Sequence, residues 1–208
     1  MSGRKLWLRY GENHSDQIVV FEPLFEELNR TRRLLAMLGR ALDSAGFGLT
    51  FAALSGTGES LIDVQNVRLL DWREDAAAVI AYIKPIVIVS LRGGSILDDC
   101  GPAKGWWRFA PESGARIVRD LRRTQRTGES DLYAGNRLSE AFLADLEGAA
   151  PAPISPLRTV RLESDAAEAD AKLPGTPLWR RAEPGEDAEL AAAMAADLIQ
   201  WVRQCAAS

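Results

Sequence analysis

Residues 86–97 read IVIVSLRGGSIL. Ile86, Val87, Ile88 and Val89 form an unbroken run of β-branched and apolar side chains, the pattern of a strand buried on both faces. The run stops at Ser90-Leu91-Arg92-Gly93-Gly94, where paired glycines permit unusual backbone angles and close packing. A strand that feeds a glycine-rich turn is where open α/β sheets place their sites, beyond the carboxyl ends of the strands.

Working outward, residues 4–10 (RKLWLRY) alternate well enough for a strand, and Ile18 to Phe21 is a second, ended by Glu22-Pro23. Leu28, Leu34, Leu35, Leu38 and Leu42 then put one apolar stripe on a helix from Glu26 to Leu42, with Gly46 at its end. Gly48 to Leu54 reads as the next strand, and Asp71 to Ile83 as a helix leading into Ile86. Strand and helix thus alternate over residues 17–98, a helix following Gly94 included. That order predicts a mostly parallel, three-layer α/β sheet built from right-handed crossovers, in one domain over residues 1–208.

The second half is less regular. Residues 101–114 (GPAKGWWRFAPESG) read as an aromatic loop, and Ala115 to Arg126 as an arginine-rich helix. Ser139 is the expected N-cap of a short helix to Glu147. Residues 154–162 and 176–179 are expected as the last strands, with the acidic segment Asp165 to Lys172 as a mobile link. A closing helix from Glu186 to Cys205 carries Leu190, Met194, Leu198 and Trp201 on one face.

Composition excludes several classes. The 208 residues are 47% hydrophobic and 26% charged, ordinary for a soluble globular chain. No apolar run is long enough to span a bilayer, and residues 1–16 hold no secretory pattern, so the expected location is cytoplasmic. The net charge of −4 argues against nucleic acid as a partner. Cys100 and Cys205 are too few for a disulfide scaffold or a thiolate zinc site, and no motif implies a cofactor.

EPLFEELNRTRR (22–33), LSGTGES (54–60), SLRGGS (90–95), WWRFAPESGARIVRDL (106–121) and YAGNRLS (133–139) follow one another in an order that resembles the α/β-hydrolases. More narrowly, they resemble the hydrolase-like proteins encoded beside bacterial exosortase systems, which carry a similar acidic loop and an arginine in the elbow. The likeness spans about residues 17–203. It implies an α/β-hydrolase sheet, shortened and with little or no cap, and a setting in exopolysaccharide or sorting systems. In that fold the strand–turn is the nucleophile elbow, G-x-S-x-G. Laid over residues 90–94, the pattern puts Arg92 where the serine stands.

Serine-hydrolase chemistry needs a nucleophile, a base within hydrogen-bond reach and a carboxylate orienting the base. A guanidinium offers no nucleophilic lone pair. The usual base follows the last strand, where this chain reads RRAEPGED; its single histidine, His14, precedes the core and reads as a surface turn residue. Ser95 is a displaced nucleophile or, without a base, a local hydrogen-bonding group. Ser60 reads as a loop-fixing residue, and Cys100, beside Asp98 and Asp99, as an unreactive thiol.

Arg92 has two readings. In one it forms a structural ion pair with a carboxylate of the Glu22/Glu26/Glu27 loop; in the other its planar fork binds a carboxylate or phosphate. The same loop, through Glu26, Glu27 and Asn29, is either a site for acid–base work or a divalent metal, or a solvated helix start. Trp106, Trp107 and Phe109 are expected as an aromatic lid over the elbow, or as core. Arg116, Arg119, Arg123 and Arg126 fall near one helix face, to meet an acidic partner, a membrane surface or a second subunit, or to lie solvated beside Asp120 and Glu129. The function expected is non-catalytic binding of a small anionic ligand or a protein partner at Arg92, Glu26, Glu27, Asn29, Ser95, Trp106 and Trp107. The rivals are an esterase or acyl-transferase with a non-standard nucleophile, and a structural module, such as a homodimer joined through Trp106 and Trp107.

Overall fold

A computed structural model describes residues 7–58, 60–125 and 131–207. In chain order the elements are β1 (Arg9–Tyr10), β2 (Gln17–Phe21), α1 (Glu26–Ser44), β3 (Gly48–Phe51), α2 (Leu69–Ile83), β4 (Val87–Leu91) and β5 (Gly105–Phe109). There follow α3 (Gly114–Thr124), β6 (Leu132–Tyr133), β7 (Asn136–Arg137), α4 (Glu140–Glu147), β8 (Leu157–Leu162), β9 (Ala171–Leu173) and α5 (Ala188–Ala207). The main sheet runs β1-β3-β2-β4-β5-β8-β9. Only β1 is antiparallel to its neighbour; the other pairings are parallel. The strand–helix alternation over residues 17–98 therefore does specify a mostly parallel sheet, with β4 near its middle.

Side-chain alternation sorts the core into two layers. Ile18, Val20, Val87, Val89, Leu91, Trp107 and Phe109 pack with α1 and α5. Val19, Phe21, Ile88 and Trp106 pack on the other face with α2, α3 and α4. The apolar stripe of α1 buries Leu34, Leu35, Leu38 and Leu42, as its spacing requires. Gly46 takes a positive φ of 91° just past the helix, a conformation that costs glycine nothing. Ser139 caps α4 by accepting from the Phe142 N–H at 3.1 Å.

Four expectations need correction. The segment 105–109 is no loop or lid: GWWRF is the central strand β5, all five residues buried. Adjacent strand residues face opposite ways, so Trp106 and Trp107 enter different core layers and cannot both cover the elbow. Their indoles are also anchored inside, Trp106 Nε1 donating to the Asp98 carbonyl at 2.8 Å and Trp107 Nε1 to the Asp197 carboxylate at 2.7 Å. A homodimer joined through these two residues has no surface left to use.

The α-helix expected after Gly94 is a single 3₁₀ stretch, Arg92–Ile96. Beyond it Asp98 turns inward to pair with Arg108, and Gly101-Pro102 break any continuation. The last strands sit at 157–162 and 171–173; Thr176–Trp179 is turn and 3₁₀ structure. The Asp165–Lys172 segment is tied to the sheet rather than loose. Asp165 pairs with Arg161 at 2.8 Å, Asp170 accepts from the Thr159 N–H at 2.7 Å, and the Lys172 ammonium donates to the Asp165 and Ala167 carbonyls.

Candidate functional site

The crevice at the carboxyl ends of β2, β4 and β5 gathers an unusual backbone. Phe25, Arg92 and Ala110, each just past one of these strands, hold positive φ angles of 56°, 52° and 45°. Non-glycine residues in this region are strained, and such strain collects at sites that the surrounding structure holds in place. The glycines of the elbow do not adopt the unusual angle; Arg92 does. They serve close approach instead: a Cβ on Gly94 would lie 2.4 Å from the Phe21 carbonyl oxygen and 2.6 Å from that of Glu22.

Strain at Arg92 aims its side chain at the loop after β2. Nε and Nη2 each donate to the Glu27 carboxylate at 3.1 Å, a two-bond fork. Nη1 donates to the Ala110 carbonyl at 3.1 Å and lies 3.4 Å from Glu112 Oε2. The guanidinium stacks 4.7 Å over the Trp179 ring. Arg92 is 8% exposed, so this charge is fully paired and nearly buried.

Above it lies a cavity of about 740 Å³, with Leu24, Ile117, Leu121 and Leu132 on its apolar side and Glu26, Arg30 and Arg116 among its charged residues. Of the sequence-derived candidates, Arg92, Glu26 and Glu27 line it, whereas Asn29, Ser95, Trp106 and Trp107 do not. Asn29 is exposed and donates to Glu26 at 3.3 Å. Ser95 is buried and donates to the Arg92 carbonyl at 2.7 Å, a local turn bond.

The remaining serines and thiols have structural partners as well. Ser60 accepts from the Gly56 and Ile62 N–H groups, holding its loop. Ser90 is enclosed and donates to Asp98 at 2.6 Å. Asp98 does not converge on the acidic loop; it sits on the α2 side of the sheet, gripped by Arg108 through two bonds of 2.8 Å. Burial raises its carboxyl above the ordinary range against the pull of Arg108 and Ser90. Burial also pushes the Cys100 thiol up to about 11. His14 lies 2.9 Å from Asp43 at the other end of the strands.

Arg116 pairs with Glu112 at 3.2 Å, Arg122 with Glu140 at 3.6 Å and Arg123 with Asp120 at 3.4 Å, so the α3 face is largely a solvated one. Arg126 and Glu129 lie outside the described residues. Among the described residues no group of three or more His, Cys, Asp or Glu side chains is placed to hold a metal ion, and no helix is long and apolar enough to cross a membrane.

Glu112, Ala110 and Trp179 were not singled out in the sequence. Reading WWRF as a strand would have put Ala110 and Glu112 beside the elbow at a neighbouring strand end. Trp179 lies after the last strand and immediately before the segment searched for histidine, 180–187.

No protein-family model matches the chain, and no curated protein sequence matches it. Solved structures do. Est1E from Butyrivibrio proteoclasticus, described with ferulic acid bound, superposes with a TM-score of 0.65 at 14% identity, covering 98% of this chain and 96% of that one. Mouse alpha/beta hydrolase domain-containing protein 10 gives 0.66 at 12% identity, over 95% and 93% of the chains. The esterase domain of a Rhodothermus marinus protein gives 0.57 at 14%, over 91% and 88%. The chain has the α/β-hydrolase fold.

Proposed function

We propose that this chain is a non-catalytic α/β-hydrolase-fold protein that binds a small anionic molecule or a protein partner above its elbow, in the exosortase setting its sequence resemblance implies. One observation carries the reading. Arg92 occupies the elbow with its donors on Glu27, Ala110 and Glu112, and Trp179 lies against it just before the segment where a base would follow the last strand. A nucleophile without a base within hydrogen-bond reach stays inactive, and neither Ser60, Ser90 nor Ser95 has a histidine neighbour among the described residues. The strained, enclosed crevice is retained while the reacting groups are replaced, which suits recognition rather than turnover.

The test is reaction with a fluorophosphonate reagent together with hydrolysis of p-nitrophenyl esters. The expected outcome is no covalent adduct by intact-mass measurement and no rate above buffer. An adduct on Ser95 or Ser60, lost in the corresponding alanine variant, would establish an esterase with a non-standard nucleophile and end this reading.

A further inference from the structure

A second, smaller cleft of about 350 Å³ is also lined by Arg92. It shares Arg92, Glu112, Arg116, Trp179 and Arg180 with the larger cavity, so these five residues form a common wall. Its other lining comes mainly from the end of β8, Arg161 and Leu162, and the β8–β9 connection, Ser164 and Asp165 to Ala167. Where the large cavity is apolar on one side, the small one is lined by four arginines, Arg92, Arg116, Arg161 and Arg180, against two carboxylates, Glu112 and Asp165. Both carboxylates are already engaged, Glu112 by Arg92 and Arg116, Asp165 by Arg161. Arg180 is exposed and pairs with no carboxylate among the described residues.

Among the described residues five buried side-chain polar atoms have no hydrogen-bond partner, and three of them belong to residues lining these two spaces: Arg30 Nε, which lies 3.9 Å from Glu26 Oε1, Arg161 Nε and Trp179 Nε1. All three are N–H donors. Buried donors without a partner are costly and therefore rare, and none of these three is open to solvent as the chain stands. Trp179 is 7% exposed and lines both spaces. Arg30 is joined to it by a 2.9 Å bond from Nη1 to its carbonyl.

We infer that the small cleft is an anion subsite, and that the two spaces together take an amphiphilic anion. Its phosphate or carboxylate lies among Arg161, Arg180 and Trp179; its apolar body lies against Leu24, Ile117, Leu121 and Leu132. This rests on the binding reading above but moves the anion away from Arg92, whose fork is filled by Glu27. The exposed, uncommitted guanidinium of Arg180 in a cleft of four arginines favours an acceptor-rich head group, and the apolar residues of the larger cavity favour a chain or ring over inorganic phosphate alone.

The test is calorimetric titration of the whole chain with octyl phosphate, octan-1-ol and inorganic phosphate. Octyl phosphate is expected to bind at least tenfold more tightly than either of the others. Arg180→Gln, at an exposed position, and Arg161→Gln are each expected to weaken octyl phosphate about tenfold, the worth of one charge-assisted hydrogen bond, and to leave octan-1-ol unchanged. Equal binding of octyl phosphate and octan-1-ol, or of octyl phosphate and inorganic phosphate, overturns the inference, as does an unchanged affinity in both variants or no binding of any of the three. Its failure is separable from that of the non-catalytic reading. Ester turnover with intact, Arg180-dependent octyl phosphate binding removes only the latter, and charge-independent binding without turnover removes only the former.

Discussion

Arg92, just past β4, and Arg108, in the neighbouring β5, make the same bond to different ends. Each grips one carboxylate through two N–H groups, Arg92 holding Glu27 at 3.1 Å and Arg108 holding Asp98 at 2.8 Å. The Arg108 pair is sealed: Asp98 is 0% and Arg108 4% exposed, with Ser90 and the Ala152 carbonyl completing the shell. The Arg92 pair forms the wall between two cavities, with a second carboxylate and an aromatic ring on it. The first arrangement braces the β4–β5 connection where an α-helix is missing. The second leaves a strained, nearly buried arginine in the lining of two cavities.

The comparison breaks first at Asp98. Asp98→Ala leaves the Arg108 guanidinium enclosed without a counter-charge, and removal of one partner of a buried pair costs about 3–5 kcal/mol. Urea unfolding followed by tryptophan fluorescence reads that loss directly. A cost under about 1 kcal/mol would show that water reaches Arg108 and that the two pairs are not different in kind.

Arg92→Gln is the matching experiment on the other pair. It leaves Glu27 without its guanidinium and Glu112 with Arg116 alone, but the adjoining cavity lets Glu27 reach water, so the expected cost is ~2 kcal/mol. The same urea titration serves. A cost equal to that of Asp98→Ala would mean that the Arg92 wall is as closed to solvent as the Arg108 core.

The strands that carry these pairs were legible to different degrees. β4 announced itself through Ile86 to Val89, because a strand buried on both faces needs no polar alternation. β5 did not, since GWWRF places a charged residue mid-strand and is bounded by glycine, proline and lysine, the marks of a loop. Only the partner Asp98, ten residues upstream of Arg108, makes that arginine tolerable inside, and such pairings are invisible in one dimension. Arg92 at the elbow could be read from the strand–turn pattern, and so could its pairing with the acidic loop. Which acid took the role could not, because Glu26 and Glu27 differ by one helical step and only the first turn of α1 decides which faces inward. The polar cleft was missed because its walls come from four separate stretches of chain, at 92, 111–116, 161–167 and 177–180.

Within the acidic loop Glu22 offers a paired-against-unpaired contrast with Glu27. It has no hydrogen bond or ion pair among the described residues, and burial pushes its carboxyl up to about 7 despite the nearby Arg32 charge. The unfolded chain ionises it near the ordinary 4.5. Between those values the folded state holds the extra proton, so wild-type stability falls as pH rises from 4.5 to 7 and is level above. Glu22→Gln cannot ionise and escapes that fall. It is expected to match the wild type near pH 4 and to exceed it by ~2 kcal/mol at pH 8, less than the full linkage because the group is partly exposed. Thermal melts at the two pH values check this, and a pH-independent difference would assign the effect to packing.

The smallest effect belongs to the serines that accompany the two arginines. Ser90 donates to the carboxylate of the sealed pair, whereas Ser95 donates only to the Arg92 main-chain carbonyl, at 2.7 Å. Ser95→Ala therefore removes one neutral hydrogen bond and leaves every charge paired. The expected cost is about 1 kcal/mol in urea unfolding, with octyl phosphate affinity within twofold of the wild type. A larger change in affinity would mean that the φ of 52° at Arg92 depends on this one bond. The strained elbow would then be held by its own turn, and the Glu27 fork would be a consequence of the backbone rather than its support.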